Sequence, residues 1–153
     1  MDALTPTALR EVLSQHGVTL SKRFGQNFLV DRNALLSLAA EIPTGDDITF
    51  IEIGTGALAL TRALAAKGGR VITYEIDTRL QTVHKALLID DGKKEHIDIR
   101  YEDALNVTWC SPESRGGRVI LAGNLPYLRS SETVLKLIRS SCIRQAFLLF
   151  QKE

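Results

Sequence analysis

The chain has 153 residues, a length typical of one domain that can bury a substantial hydrophobic core. Its 44% hydrophobic and 24% charged residues are ordinary for a globular protein, and a net charge of +1 gives no overall electrostatic argument for nucleic-acid binding. We expect a cytoplasmic protein without membrane contact, because no stretch is long enough to span a bilayer and no signal-peptide pattern opens the chain.

Two amphipathic helices are predicted in the first part of the chain. Thr5 as a cap and Pro6 in the first turn predict where the first helix begins, and Gly17 predicts its end. Asp31 is the predicted cap of the second helix, and residues 21–31 between the helices are predicted to form a loop. The residues expected to face inward are Leu9, Val12 and Leu13 in the first helix and Leu35, Leu36, Leu38, Ala39 and Ile42 in the second.

From residue 48 onward, strands alternate with helices. The predicted strands are 48–54, 70–77, 97–103, 118–126 and 145–151. The predicted helices between them are 58–67, one that carries Leu80, Val83, Leu87 and Leu88, and 131–140. This alternation predicts an α/β fold with a doubly wound, mostly parallel, Rossmann-like sheet of order 3-2-1-4-5. The last strand is strongly apolar, so we expect either that the natural protein continues beyond it or that another subunit covers its edge.

The two cysteines, Cys110 and Cys142, are far apart in the sequence and lack the spacing of metal ligands. We therefore expect no metal site. The pattern favours structural, reduced thiols in a reducing compartment.

A glycine loop follows the first predicted strand. Gly54 and Gly56 allow a tight turn and the close approach of a ligand to the backbone. Residues 54–59 fit the dinucleotide-binding fingerprint, and Glu75 follows about twenty residues later, where a carboxylate can accept both ribose hydroxyls. This pattern predicts a nucleoside site, but it leaves NAD, S-adenosylmethionine and a purely structural turn open.

Two further acids favour S-adenosylmethionine over NAD. Glu52 lies just before Gly54, where a negative charge would repel a pyrophosphate but suit a cationic methionine group. Asp103, at the end of the third strand, is placed to accept a hydrogen bond from an adenine amino group. Either acid could instead be a solvated loop residue.

The stretch "GNLPY", residues 123–127, ends the fourth strand with a proline that cannot donate to a sheet. The amide oxygen of Asn124 and the carbonyl oxygen of Leu125, turned outward by Pro126, are predicted to accept the two N–H bonds of an aromatic amine. Tyr127 offers a face on which an extruded base can stack. The alternative is a proline-ended strand with an asparagine turn and a core tyrosine.

The motifs "GQNFLVD", "EIGTG", "YEID", "EDAL" and "GNLPY", in this order and spacing, resemble the ribosomal RNA small-subunit adenine dimethyltransferases from Ser21 onward. The resemblance implies a class I methyltransferase fold that binds S-adenosylmethionine. It also implies dimethylation of two adjacent adenines near the 3′ end of small-subunit ribosomal RNA, in ribosome biogenesis. The implied partner is that RNA or the immature small subunit, and a monomer is expected for the full-length protein.

The motifs and the resemblance together define the expected site and its organisation. The expected cofactor-binding residues are Asn27, Leu29, Gly54, Gly56, Glu75, Asp103 and Asn124, of which the first two rest on the resemblance alone. The expected catalytic residues are Asn124, Leu125, Pro126 and Tyr127. Residues 1–47 are expected to cover the cofactor, and residues 48–153 to form a core truncated before its last strands, without the family's carboxyl-terminal helical domain.

Three positions depart from the family pattern: Thr55 replaces a usual proline, Leu58 a usual glycine and Arg129 an aliphatic residue. Leu58 is expected either to crowd the methionine end of the cofactor or to shift the loop. Two other functions stay open at this point, a non-catalytic module that binds ribosomal RNA or a pre-ribosome, and an NAD-dependent oxidoreductase.

Overall fold

The computed structural model describes residues 6–19, 32–89, 91–111, 117–125 and 127–150. Its α-helices are α1 (Pro6–Gln15), α2 (Arg32–Glu41), α3 (Ala59–Ala65), α4 (Gln81–Leu88) and α5 (Tyr127–Arg139). Its strands are β1 (Ile48–Ile53), β2 (Arg70–Tyr74), β3 (Ile97–Arg100), β4 (Arg118–Leu125) and β5 (Ile143–Phe150). Short 3₁₀ turns, Thr78–Leu80 and Lys94–His96, precede α4 and β3. None of the helices in these ranges is long and apolar enough to cross a membrane.

The strands form one sheet of order β3-β2-β1-β4-β5, in which all neighbouring pairs are parallel. This confirms the predicted fold class and strand order. The order reverses between β1 and β4, and open α/β sheets bind their ligands in the crevice at the carboxyl ends of the strands beside such a reversal. β3 and β5 are the edge strands, and the side chain of Ile138 on α5 is 74% exposed.

Apolar side chains cover both faces of the sheet. On one face, Phe50, Val71 and Ile120 pack with Leu35 of α2 and Leu64 of α3. The cluster on the other face draws on β1, β2, β4 and the segment after β3, and it contains Ile51, Ile72, Tyr74, Ala104, Trp109, Val119 and Leu121. A third cluster joins α1 to α4 through Leu9, Leu13, Val18, Leu80 and Val83. Both amino-terminal helices therefore pack on helices of the sheet domain.

The predicted starts of α5 and β5 are wrong. α5 begins at Tyr127 instead of Ser131, and β5 begins at Ile143 instead of Gln145. The sequence predicts that the proline at position 126 ends the fourth strand and that the helix begins five residues later, although proline is compatible with the first turn of a helix.

The inward face of α2 is narrower than predicted. Leu35, Ala39 and Ile42 are buried as expected, but Leu36 is 52% exposed. Neighbouring residues of a helix point about 100° apart, so Leu36 lies outside the face that Leu35 and Ala39 share.

The two cysteines are bonded to each other, which contradicts the prediction of reduced thiols. Cys110 and Cys142 form a disulfide, with their Cα atoms 5.5 Å apart. They meet because the segment after β3 lies along α5, where the Lys136 ammonium donates to the carbonyl oxygens of Ala104 and Leu105. Tertiary packing creates this proximity, and the spacing of the cysteines in the sequence does not reveal it.

Leu58 has a backbone conformation that usually requires glycine. Its φ of 66° lies in the left-handed region, which costs a residue with a Cβ about 1–2 kcal/mol. Its N–H donates to the Thr55 carbonyl oxygen at 3.0 Å, and its own carbonyl oxygen accepts from Arg62 in the first turn of α3. Its side chain is fully buried. The position therefore keeps a glycine-type backbone, and burial of the leucine side chain offsets the strain.

We expect the Leu58→Gly variant to be about 1 kcal/mol more stable than the Leu58→Ala variant, because only glycine relieves the left-handed strain. Leu64 is the matched control, since it is equally buried but lies within α3. There, glycine should cost about 1 kcal/mol more than alanine. Urea unfolding of the four variants measures both differences. The same order of glycine and alanine at both positions would contradict strain at Leu58.

Candidate functional site

The carboxyl ends of β1 and β2 lie level with each other, and β4 continues two residues beyond them. Ile53, the last residue of β1, pairs with Tyr74 of β2 on one side and with Gly123 of β4 on the other. Gly54 N–H then donates to the Tyr74 carbonyl oxygen at 2.9 Å. Because β2 and β3 are shorter than predicted, the residues after them also lie at this edge. Several predicted site residues therefore lie at this edge, each at or after the end of a strand: Gly54, Gly56, Glu75, Asp103, Asn124 and Leu125.

Gly54 and Asn124 lie on the two sides of the reversal in strand order. Gly54 has a φ of 83°, which favours glycine, and a Cβ placed on it would lie 4.0 Å from the Asn124 backbone oxygen. Gly54 is exposed and Asn124 is half-buried. The backbone of the glycine loop is thus open to a ligand, and it lies beside Asn124, which is predicted to accept an N–H bond of an aromatic amine.

The Glu75 carboxylate connects the glycine loop with the turn after β2. Its Oε2 accepts the Gly56 N–H at 3.0 Å, and its Oε1 accepts the Asp77 N–H at 2.9 Å. Burial raises the pKa of Glu75, although these two backbone donors act to lower it. Each oxygen retains a second lone pair, so the arrangement is compatible with the predicted contact to ribose hydroxyls.

Glu52 is fully buried behind the glycine loop. Its Oε2 accepts the Thr61 hydroxyl at 2.7 Å, while Oε1 has no hydrogen-bond partner among the described residues. Burial raises the pKa of Glu52 to about 8, against the nearby hydroxyls of Thr61 and Thr73, which lower it. Thr55, where the family pattern has proline, places its own hydroxyl 2.7 Å from that of Thr73. The protein therefore holds Glu52 as a neutral acid at neutral pH.

Asp103 is paired with Arg129, one of the departures from the family pattern. Its Oδ1 accepts the Leu105 N–H at 3.0 Å, and its Oδ2 accepts from the Arg129 guanidinium. Burial alone would raise the pKa of Asp103, but the Leu105 N–H and the Arg129 charge hold it below the usual value. The residue is thus an ionised acceptor, linked across the edge of the sheet to the first turns of α5.

Part of the predicted site lies outside the described residues. This applies to Asn27, Leu29 and Pro126, and to the side chain of Tyr127, whose backbone begins α5. Leu125 ends β4 in register with Phe150 of β5, and its side chain is buried.

Sequence reasoning missed a histidine that contacts the glycine loop. The side chain of His84 on α4 lies 2.7 Å from the Gly56 carbonyl oxygen and 2.8 Å from the Tyr101 hydroxyl. Neither His84 nor Tyr101 belongs to one of the five motifs, and His84 lies 28 positions from Gly56 in the sequence. The sequence therefore carries no signal for this contact.

A glycine loop and acids at the reversal of a doubly wound sheet form the arrangement with which many α/β proteins bind nucleotides and nucleosides. The model of the ribosomal RNA adenine dimethylase family matches residues 17–153. The chain belongs to this family.

Curated relatives agree with that assignment. A ribosomal RNA small subunit methyltransferase A from Geobacillus sp. (strain WCH70) is 34% identical over 99% of this chain and 53% of its own length. The protein of the same name from Shouchella clausii (strain KSM-K16) is 34% identical over 90% of this chain and 47% of its own length. The chain therefore spans about half the length of these relatives.

Two solved structures are similar in fold and sequence. The 23S rRNA methyltransferase ErmE is 28% identical, with a TM-score of 0.70 over 82% of this chain and 48% of its own. A dimethyladenosine transferase from Plasmodium falciparum is 28% identical, with a TM-score of 0.61 over 79% of this chain and 41% of its own. The described sheet thus has the same fold as the sheets of these two methyltransferases.

We expect stability to fall by about 3–5 kcal/mol as the pH rises from 5 to 9, because of Glu52. Its pKa is about 8 in the folded chain and near 4.5 when unfolded, so between these values only the folded state retains the proton. Glu52→Gln cannot ionise, and its amide oxygen can still accept from Thr61. This variant should lack the loss and be more stable than the wild type at pH 9.

Urea unfolding at pH 5, 7 and 9 measures this difference. Glu41→Gln is the control, because Glu41 is exposed at the end of α2. A Glu52→Gln profile that parallels those of the wild type and the control would show that Glu52 is not a buried neutral acid.

Proposed function

We propose that the chain provides the cofactor-binding core of an S-adenosylmethionine-dependent methyltransferase that dimethylates adenine N6 in ribosomal RNA. In finer detail, the substrate is a pair of adjacent adenines near the 3′ end of small-subunit RNA, modified during ribosome biogenesis. The partner is that RNA or the immature small subunit. The small-subunit names of the curated relatives support this choice over a large-subunit substrate.

The observation that carries the proposal is the adjacency of the glycine loop and the end of β4. Gly54 and the Asn124 backbone oxygen lie side by side at the reversal in strand order. A cofactor bound along the loop would therefore lie next to Asn124, the residue that holds the adenine amine. Residues 1–47 are proposed to cover the cofactor, and residues 48–153 to hold it.

The donor set fits S-adenosylmethionine better than NAD. Glu75 and Asp103 offer acceptor oxygens for ribose hydroxyls and an adenine amino group, which the two cofactors share. A pyrophosphate, however, requires N–H donors, and the Gly56 N–H is already donated to Glu75. The negative charge that the sequence suggested for Glu52 does not contribute to this choice, because burial raises the pKa of Glu52 to about 8 and keeps it neutral at neutral pH.

In this proposal the chain acts by positioning. The cofactor, when bound, supplies a methyl group carried on a cationic sulfur. In the first transfer, the Asn124 amide oxygen and the Leu125 carbonyl oxygen each accept one N–H bond of the adenine amine, which turns the nitrogen lone pair toward the donor. Tyr127 stacks on the extruded base, and Asp103 and Glu75 hold the adenosine part of the cofactor. No general base is required, because the amine proton can leave to water after transfer.

We expect Asp103→Asn to weaken S-adenosylhomocysteine binding about tenfold, because it removes a charged acceptor for the adenine amino group. Asp98→Asn is the matched control. Asp98 is also paired with an arginine, Arg100, but it lies within β3 and away from the site edge. Calorimetric titration of both variants with S-adenosylhomocysteine measures the effect. Equal affinities in the two variants would show that Asp103 does not contact the cofactor. No binding by the wild type would refute S-adenosylmethionine as the cofactor.

We expect Asn124→Ala to lower methyl transfer at least about a hundredfold, a larger loss than its effect on S-adenosylhomocysteine affinity, because it removes an acceptor that aligns the amine. Mass spectrometry of digested small-subunit ribosomal RNA, after incubation with S-adenosylmethionine, measures dimethyladenosine. Undiminished transfer by this variant would contradict the role of Asn124. RNA binding by the wild type without any dimethyladenosine would favour the non-catalytic module.

A further inference from the structure

His84 is almost completely buried, with 1% of its surface exposed, although it lies on α4 outside every motif of the family pattern. Both of its ring nitrogens have partners. Nε2 lies 2.7 Å from the Gly56 carbonyl oxygen, and Nδ1 lies 2.8 Å from the Tyr101 hydroxyl. The imidazole and the tyrosine ring are stacked, with centroids 5.8 Å apart. His84 therefore connects the glycine loop with the residue that follows β3.

The chemistry of these partners determines the tautomer of His84. A carbonyl oxygen only accepts, so Nε2 carries the proton and donates it to Gly56. In the neutral ring Nδ1 is then an acceptor, and the Tyr101 hydroxyl donates to it. Gly56 is thus held at both of its polar groups, its N–H by Glu75 and its carbonyl oxygen by His84. This fixes the orientation of the peptide groups on both sides of Gly56.

The charged and titratable groups around His84 come from two further segments. After β2, Asp77 forms an ion pair with Arg79. The negative charge of Asp77 acts to raise the pKa of His84. Burial outweighs this effect and the Gly56 contact, so the pKa of His84 lies below its usual value. After β3, burial and the charge of Glu75 raise the pKa of Tyr101 to about 12, so its hydroxyl keeps the proton that it donates.

We propose that His84 is a positioning residue of the cofactor site, which holds the glycine loop in its binding conformation through the Gly56 carbonyl oxygen only while the imidazole is neutral. The inference rests on the proposed function, since the loop is taken to bind S-adenosylmethionine. A protonated imidazole would keep its Nε2–H donor, but it would be a buried cation that faces the Tyr101 O–H, so protonation favours a conformation in which the ring leaves this contact for solvent. The loop then loses a fixed partner, and cofactor affinity falls in acid.

Nitrogen-15 NMR of the wild-type imidazole tests the contact directly, without any cofactor. We expect the Nε2–H tautomer at neutral pH, and a Gly56 amide signal that shifts with the same midpoint as His84 when the pH is lowered. An Nδ1–H tautomer, or a Gly56 signal that does not follow His84, would overturn the proposal. This measurement stands even if the chain fails to bind S-adenosylhomocysteine, which would instead refute the proposed function.

Variants test the consequence for binding. We expect His84→Ala to weaken S-adenosylhomocysteine binding about tenfold at pH 7.5, since the Gly56 carbonyl oxygen loses its donor. His84→Gln retains a side-chain N–H for Gly56, so it should bind within about threefold of the wild type. Between pH 7.5 and 5 the wild type should lose more affinity than His84→Gln, whose side chain cannot be protonated.

His96→Gln is the control for this series, because His96 is exposed before β3 and lies outside the contact. It should keep both the affinity and the pH profile of the wild type. If His84→Gln binds as weakly as His84→Ala, or keeps the acid loss of the wild type, His84 does not act through the Gly56 carbonyl oxygen.

Discussion

The candidate site depends on the parallel register of β1 with β2 and β4. Ile53 pairs with Tyr74, the last residue of β2, and with Gly123 of β4, so Asn124 and Leu125 lie just beyond the level ends of β1 and β2. Every residue that follows them is brought to one edge, whatever its position in the sequence. A shift of one residue in either pairing would separate Gly54 from Asn124 or turn their neighbours to the opposite face of the sheet. The apolar clusters on the two faces keep this register, because they bury alternate residues of each strand.

Buried polar groups then give the glycine loop its shape. Glu75 and His84 hold the N–H and the carbonyl oxygen of Gly56, while Glu52 lies beneath the loop with one oxygen bound to Thr61. Buried polar groups of this kind specify one conformation only when they are satisfied. One Glu52 oxygen has no hydrogen-bond partner among the described residues, which is a local cost, and the raised pKa of Glu52 reduces this cost because it keeps the carboxyl group neutral.

The sequence was sufficient for the fold class, the strand order and the place of the glycine loop, because alternating apolar runs and handed crossovers leave few topologies. It was also sufficient to predict that Glu75 and Asp103 lie at the carboxyl ends of neighbouring strands, although these strands end earlier than predicted. It could not reveal the contact of His84 with Gly56, the pairing of Arg129 with Asp103 or the disulfide, because each joins segments that only tertiary packing brings together. Leu36 and the start of α5 were missed for local reasons, since a wide apolar stripe and a proline each allow more than one boundary.

The central claim is that the end of β4 presents two oxygens to an amine beside the cofactor loop. A crystal structure of the chain with S-adenosylmethionine and adenosine tests it most directly. The account predicts that the Asn124 amide oxygen and the Leu125 carbonyl oxygen face the methyl-bearing sulfur, while Glu75 contacts the ribose hydroxyls. Both oxygens facing away from the sulfur, with the cofactor bound along the loop, would contradict the account.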